Sequence, residues 1–93
     1  MVTVLVPSAL RQYTGERAEL RLSVESSLAL AELLDRIGQE FPAFNRKVRD
    51  ETGALRRFVN IYLGGEESRR LNGLDTLVEP GAEVLIIQSV AGG

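Results

Sequence analysis

Hydrophobic and polar positions alternate over the first two dozen residues, take a helical period in the middle and end in an unbroken apolar run. Val2, Val4 and Val6 alternate with Thr3 and Leu5. This β-branched, period-two pattern predicts a strand over Val2 to Pro7, ended by Pro7, which has no N–H for a ladder. Ser8 to Glu16 reads as a connection with its turn at Thr14-Gly15. From Arg17 to Val24 the alternation is cleaner: Leu20, Leu22 and Val24 on one side, Glu19, Arg21 and Ser23 on the other. Two such strands predict a hairpin with one buried face.

The period then becomes helical. Leu30, Leu33, Leu34, Ile37 and Phe41 form one stripe, while Glu32, Asp35, Arg36 and Gln39 face water. The spacing predicts a helix over Leu28 to Glu40, capped by Ser26 or Ser27 and stopped before Pro42. Phe44 and Val48 suggest one further helical turn, and Asp50 to Gly53 a loop. Phe58 to Leu63 is a third strand. An unpaired buried amide is costly, so Asn60 points outward with Phe58 and Tyr62, leaving Val59, Ile61 and Leu63 inward. Gly64-Gly65 is a hairpin turn, followed by a short strand over Glu67 to Leu71, Asn72-Gly73, a single turn at Leu74 to Thr76, and a reversal at Pro80-Gly81.

The last strand, Glu83 to Ser89, carries the unbroken run Val84-Leu85-Ile86-Ile87. A strand apolar on both sides has something over both faces, and the chain supplies one substantial helix. With Val84 and Ile86 toward that helix, Leu85 and Ile87 point away, sharing an outer face with Leu5, Phe58 and Tyr62. Scattered surface apolars are ordinary, but clustered ones mark a partner-docking face. Burial of each would contribute about 1.5–3 kcal/mol before association costs. The element order gives an α+β fold: a mixed four- to five-stranded sheet on one main helix, with the last strand parallel to and beside the first.

Composition narrows the chemistry. There is no Cys and no His among the 93 residues, which removes thiol nucleophiles, imidazole bases, disulfides and the usual zinc ligands. No pair of acids is brought together by spacing. No metal site and no enzymatic activity are expected, so the chain reads as a substrate or carrier. The net charge is −2, and no basic block exceeds the pairs Arg56-Arg57 and Arg69-Arg70, so nucleic acid is not an expected partner. No apolar run is long enough to cross a bilayer and no signal-like segment opens the chain; a cytoplasmic location is expected. Lys47 is the one lysine beside ten arginines, which genome composition bias explains more simply than lysine avoidance.

The final residues are Val90-Ala91-Gly92-Gly93. Two glycines carry no side-chain chemistry, so a reaction there belongs to the backbone, meaning the terminal carboxylate. Without Cβ atoms they can thread a narrow channel. Residues 1–89 read as the folded body and 90–93 as a mobile tail, although many domains simply end in small residues.

Arg57-Phe58-Val59-Asn60-Ile61-Tyr62, Gly73-Leu74-Asp75-Thr76, Pro80-Gly81 followed by Glu83-Val84, and the Val90 to Gly93 end resemble the MoaD/ThiS superfamily of sulfur carriers over nearly the full length. The likeness is greatest to the actinobacterial cysteine-biosynthesis branch. Two departures are Gln88-Ser89 in place of a proline-containing segment, and Gly64-Gly65-Glu66-Glu67 in place of an Asn/Asp-rich turn. The resemblance implies a ubiquitin-like β-grasp and no bound cofactor. It also implies an E1-like enzyme that spends ATP to adenylate the Gly93 carboxylate, which sulfur then converts to a thiocarboxylate. An accepting synthase follows, of the cysteine, thiazole, thio-sugar or molybdopterin type. On the same reading Gly92 passes through the enzyme's channel and Val90 and Ala91 line its entrance. Two alternatives stay open: a ubiquitin-like modifier joined to lysines through Gly93, and a plain interaction domain that docks through its sheet.

Overall fold

The computed structural model describes residues 1–89; Val90, Ala91, Gly92 and Gly93, the expected reactive tail, lie outside the described residues. Strand β1 (Val2–Leu5) runs antiparallel to β2 (Glu19–Leu22), and a 3-10 turn over Ser8–Tyr13 lies between them. The two-residue β3 (Leu28–Ala29) leads into α1 (Leu30–Glu40) and α2 (Pro42–Val48). Strand β4 (Val59–Leu63) turns into β5 (Glu66–Glu67), and two further 3-10 turns precede β6 (Leu77–Val78) and β7 (Glu83–Gln88). The main sheet has the order β2-β1-β7-β4-β5, while β3 and β6 form a separate ribbon.

The last strand lies where its burial pattern requires. β7 is parallel to β1, with Val4 opposite Val84 and Leu5 opposite Leu85, and antiparallel to β4 from Val59–Gln88 to Leu63–Val84. Val2, Val4, Val59, Ile61, Val84 and Ile86 are all at most 2% exposed and face α1, whose Leu30, Leu33, Leu34 and Ile37 are buried against them. Eleven residues of helix, about 16 Å long, cover one face of the sheet and leave the other to solvent. Phe44 and Val48 on α2 close the end of this core. Gly38 allows the close approach of α2: a Cβ there would meet the Asn45 side chain at 3.0 Å. Arg49 ties the pair together by donating to Asn45 Oδ1 at 3.0 Å and to Asp35 at 2.5 Å.

Several expectations need correction. The helix begins at Leu30 rather than Leu28, and neither Ser26 nor Ser27 caps it. Leu28 and Ala29 pair instead with Val78 and Leu77, the Leu30 N–H donates to Thr76 O at 2.9 Å, and Ser27 Oγ donates to Glu79 at 2.6 Å. A distant carbonyl thus does the work expected of a local hydroxyl. The first strand stops at Leu5, short of Pro7, and the second covers Glu19–Leu22 rather than Arg17 to Val24, although Val6 and Val24 are still buried. The strand expected over Glu67 to Leu71 ends at Glu67, because its carboxylate turns back to accept from the Arg69 N–H and opens a 3-10 turn over Ser68–Arg70. The Gly64-Gly65 turn has both residues at positive φ (58° and 83°), as a two-residue hairpin matching the strand twist requires.

Adjacent positions on β7 provide a test. Ile86 is 1% exposed and Leu85 38%. Ile86→Asp places an unpaired charge in the core and is expected to cost about 4 kcal/mol or more, abolishing the cooperative melt by circular dichroism. Leu85→Asp is expected to change stability by no more than about 1 kcal/mol.

Candidate functional site

The outer face of the sheet follows from the register. Leu5 lies opposite Leu85 and Leu85 opposite Tyr62, giving one apolar row across β1, β7 and β4. Glu19 lies opposite Leu5 on the far side and Glu67 opposite Tyr62, so a carboxylate bounds the row at each end. Ile87 continues the patch one step toward the chain end, beside Asn60. Leu85 and Ile87 are 38% and 39% exposed. The structure thus brings Leu5, Tyr62, Leu85 and Ile87 together on one face. Phe58, also exposed, precedes β4 rather than opening it; its carbonyl accepts from the Ser89 N–H at 2.8 Å and extends the ladder by one rung. The Arg57 guanidinium stands 5.4 Å from the Phe58 ring centroid. Leu77, 61% exposed, joins the patch through an apolar groove shared with Tyr62, Leu85 and Ile87. Sequence reading missed Leu77 because its two-residue strand carries no periodic signal.

A polar chain fixes the outward end of this face. Arg69 donates to Asn60 Oδ1 at 2.9 Å and to the Arg56 carbonyl at 2.9 Å, and pairs with Glu67 at 2.8 Å. Asn60 Nδ2 in turn reaches Ser89 Oγ at 3.4 Å. Asn60 does point outward, as its polarity required, but Arg69 holds it. Nothing in the spacing of Glu67, Arg69, Asn60 and Ser89 announces that link, since turns and a strand pairing bring them together. Burial pushes the Glu67 carboxyl up, but the Arg69 backbone N–H and then its guanidinium outweigh this and hold the group below its ordinary value.

A second feature escaped the sequence reading. Arg46 and Lys47 from the last turn of α2, and Arg56 from the loop before β4, line an open groove with Ala43 and Gln88. Arg56 Nε donates to the Arg46 carbonyl at 2.8 Å, and the Arg56 N–H to the Val48 carbonyl at 2.9 Å. These bonds join two segments whose charges lie too far apart in sequence to read as a cluster. Lys47 Nζ rests 5.3 Å from the Tyr13 ring centroid. Among the described residues, no group of three His, Cys, Asp or Glu side chains is placed to hold a metal ion, and no helix is long and apolar enough to cross a membrane.

A mixed five-stranded sheet over one main helix, with the last strand central and an apolar row on the open face, is the β-grasp of ubiquitin-like proteins. The chain belongs to the ThiS family, which it matches over residues 4–93. It is 33% identical to the sulfur carrier protein CysO of Mycobacterium tuberculosis over 94 residues, spanning 99% of this chain and 98% of that protein. Its structure is similar to one in the crystal structure of the Amycolatopsis orientalis BexX/CysO complex, at 31% identity, a TM-score of 0.83 and 100% coverage of both chains. It is also similar to the small archaeal modifier protein 1 of Methanosarcina acetivorans, at 31% identity and a TM-score of 0.77, over 99% of this chain and 95% of that one. The superfamily resemblance and the β-grasp read from the sequence are both borne out, and the expected sheet has five strands.

The Glu67–Arg69 pair generates a pH prediction. Its carboxyl holds a proton less tightly folded than unfolded, so the pair stabilises the fold above the ordinary value of 4.5 and loses that contribution as pH falls through the lower folded value. In thermal melts, Glu67→Gln is expected to lower stability at neutral pH by no more than about 1 kcal/mol. The gap to wild type should narrow as the pH falls below 4.5.

Proposed function

We propose that the protein is a sulfur carrier whose reacting atom is the carboxyl carbon of Gly93, and that it is a substrate of enzymes rather than an enzyme. The observation that carries this reading is the family match, which runs through to Gly93 and so includes the Gly-Gly pair. A chain without Cys or His has no side chain to hold sulfur covalently, so the carboxyl group takes that role. A carboxylate is a poor electrophile. An E1-like enzyme supplies the driving force: a Gly93 oxygen attacks the α-phosphorus of ATP, pyrophosphate leaves, and a mixed anhydride with AMP remains. The terminal sulfur of a persulfide then attacks the carbonyl carbon and AMP leaves. A thiol cleaves the resulting S–S bond and frees the thiocarboxylate. ATP is consumed by the enzyme, and the carrier binds no cofactor.

Gly92 and Gly93 pass where a Cβ would crowd the adenylating pocket, with Val90 and Ala91 at its mouth. The apolar face of Leu5, Phe58, Tyr62, Leu85 and Ile87 docks the body onto the activating enzyme and onto the accepting synthase. Cysteine is the product class favoured by the likeness to CysO proteins, ahead of thiazole, thio-sugar and molybdopterin acceptors. The site of action is the cytoplasm, where ATP and persulfide sulfur are available.

A second reading, attachment to lysines of other proteins through Gly93, draws on the 31% identity to an archaeal modifier protein. It shares the adenylation step and differs in the acceptor.

Incubation with the E1-like enzyme of its own cell, ATP and a persulfide donor is expected to raise the intact mass by the difference between sulfur and oxygen. No adduct with any adenylating enzyme of that cell would overturn the carrier reading. High-mass conjugates in lysates, lost on deletion of Gly93, would favour the modifier. Gly93→Ala is expected to leave the melting temperature unchanged and to slow adenylation at least tenfold, the Cβ being excluded from a site that must close on the reacting group. Leu85→Arg is expected to raise KM for the carrier about tenfold or more while leaving kcat intact, as loss of uniform binding does.

A further inference from the structure

The groove of Arg46, Lys47 and Arg56 beside Gln88 gathers three cations, and among the described residues no carboxylate lines it. Basic residues at the end of a helix do complement its dipole, which covers Arg46 and Lys47 on α2. Arg56 reaches the same helix end from another segment, its Nε donating to the Arg46 carbonyl, so all three cations collect there. Like charges gathered without a counter-charge repel one another. Among the described residues the ion pairs are Arg36–Glu32, Arg49–Asp35 and Arg69–Glu67, and none involves the groove. Asp50 feels the Arg56 charge, yet its carboxylate accepts from Thr52 and Ala54 in its own loop and does not line the groove. The chain as a whole is net negative, so this patch runs against the average.

Its position gives it a partner. Gln88, the last residue of β7, forms one wall. Glu79 and Glu83 stand at the other end of the same strand, so charge is polarised along β7, negative where it begins and positive where it ends. Gly93 is five residues past Gln88, a reach of at most about 17 Å. Any enzyme that encloses Gly93 therefore has surface within that distance of Gln88, which walls the groove of the three cations.

We propose that Arg46, Lys47 and Arg56 dock an acidic segment of the adenylating enzyme, a contact that rests on the carrier reading above and adds to it a second, electrostatic point of grip. The polarity along β7 steers the carrier tail-first into encounter, and the groove holds it against the side of the enzyme's channel. The contact is separate from the apolar row in chemistry: it weakens with salt, whereas apolar burial does not.

The test uses the full chain and the E1-like enzyme of the same cell, following ATP–pyrophosphate exchange. Arg46→Glu is the primary variant, because only the Arg46 backbone, not its side chain, is bonded to Arg56. Lys47→Glu is the second, and Arg36→Glu on α1 is the control with the same change in net charge. At low ionic strength Arg46→Glu and Lys47→Glu are each expected to lower kcat/KM roughly tenfold with kcat unchanged, while Arg36→Glu changes it less than about twofold. The deficit is expected to close in roughly 0.5 M salt. Exchange with wild type that is indifferent to Arg46→Glu and Lys47→Glu, or equally impaired by Arg36→Glu, overturns the groove as a docking site and leaves the carrier reading intact. No exchange with wild type overturns both.

Discussion

Everything in this molecule depends on the parallel pairing of β1 with β7. That pairing puts the last strand in the middle of the sheet, hydrogen-bonded on both sides, with β4 as its other neighbour. A central strand cannot slip by one residue without turning Val84 and Ile86 out of the core and Leu85 and Ile87 into it. The hydrophobic effect that folds the domain therefore also fixes which side chains face outward and where the chain leaves the sheet. Parallel neighbours need a long crossover, and here the crossover includes α1, the element that buries the inner face. One constraint thus supplies both the core and the open surface.

The parts legible in the sequence are those where periodicity had enough residues to speak. Strands β1, β2 and β4 and the stripe on α1 each show a clear period, and the structure turns the expected side inward, with Leu22, Phe41 and Leu63 only partly buried at its margin. The unbroken run in β7 was informative for the opposite reason. It lacked alternation, and with one substantial helix available that implied an exposed apolar face. What could not be read was settled by contacts distant in sequence. The β3–β6 ribbon is two residues on each side, too short for any pattern, yet it replaces the local serine cap with the Thr76 carbonyl. The strand expected to run on from Glu67 to Leu71 stops at Glu67, because the Glu67 carboxylate turns to the Arg69 N–H.

The same division holds for the candidate site. Leu5, Tyr62, Leu85 and Ile87 could be placed on one face because parity along a strand decides the face. The basic groove could not, because Arg46 and Lys47 belong to a helix and Arg56 to a loop, and only the fold brings them beside Gln88. Charges gathered from separate segments leave no local signature. Val90 to Gly93 are the reverse case: they lie outside the described residues, and the role proposed for them rests on sequence alone.

The two surfaces differ in the physics of association, and a carrier that must bind and then leave gains from having both. Apolar burial supplies most of the free energy but is short-ranged and has little direction. Charge acts over about a Debye length, roughly 8 Å at physiological ionic strength, and sets the orientation of approach and the association rate more than the final affinity. A carrier held only by a large apolar interface would release slowly and could not pass between an activating enzyme and an acceptor. One held only by charge would not position its end. The exposed row on this sheet is short, bounded by Glu19 and Glu67, and the cations are grouped at the outgoing end of β7. That arrangement favours brief, oriented complexes over permanent ones, which is what a carrier acting through its own chain end, as proposed above, must form.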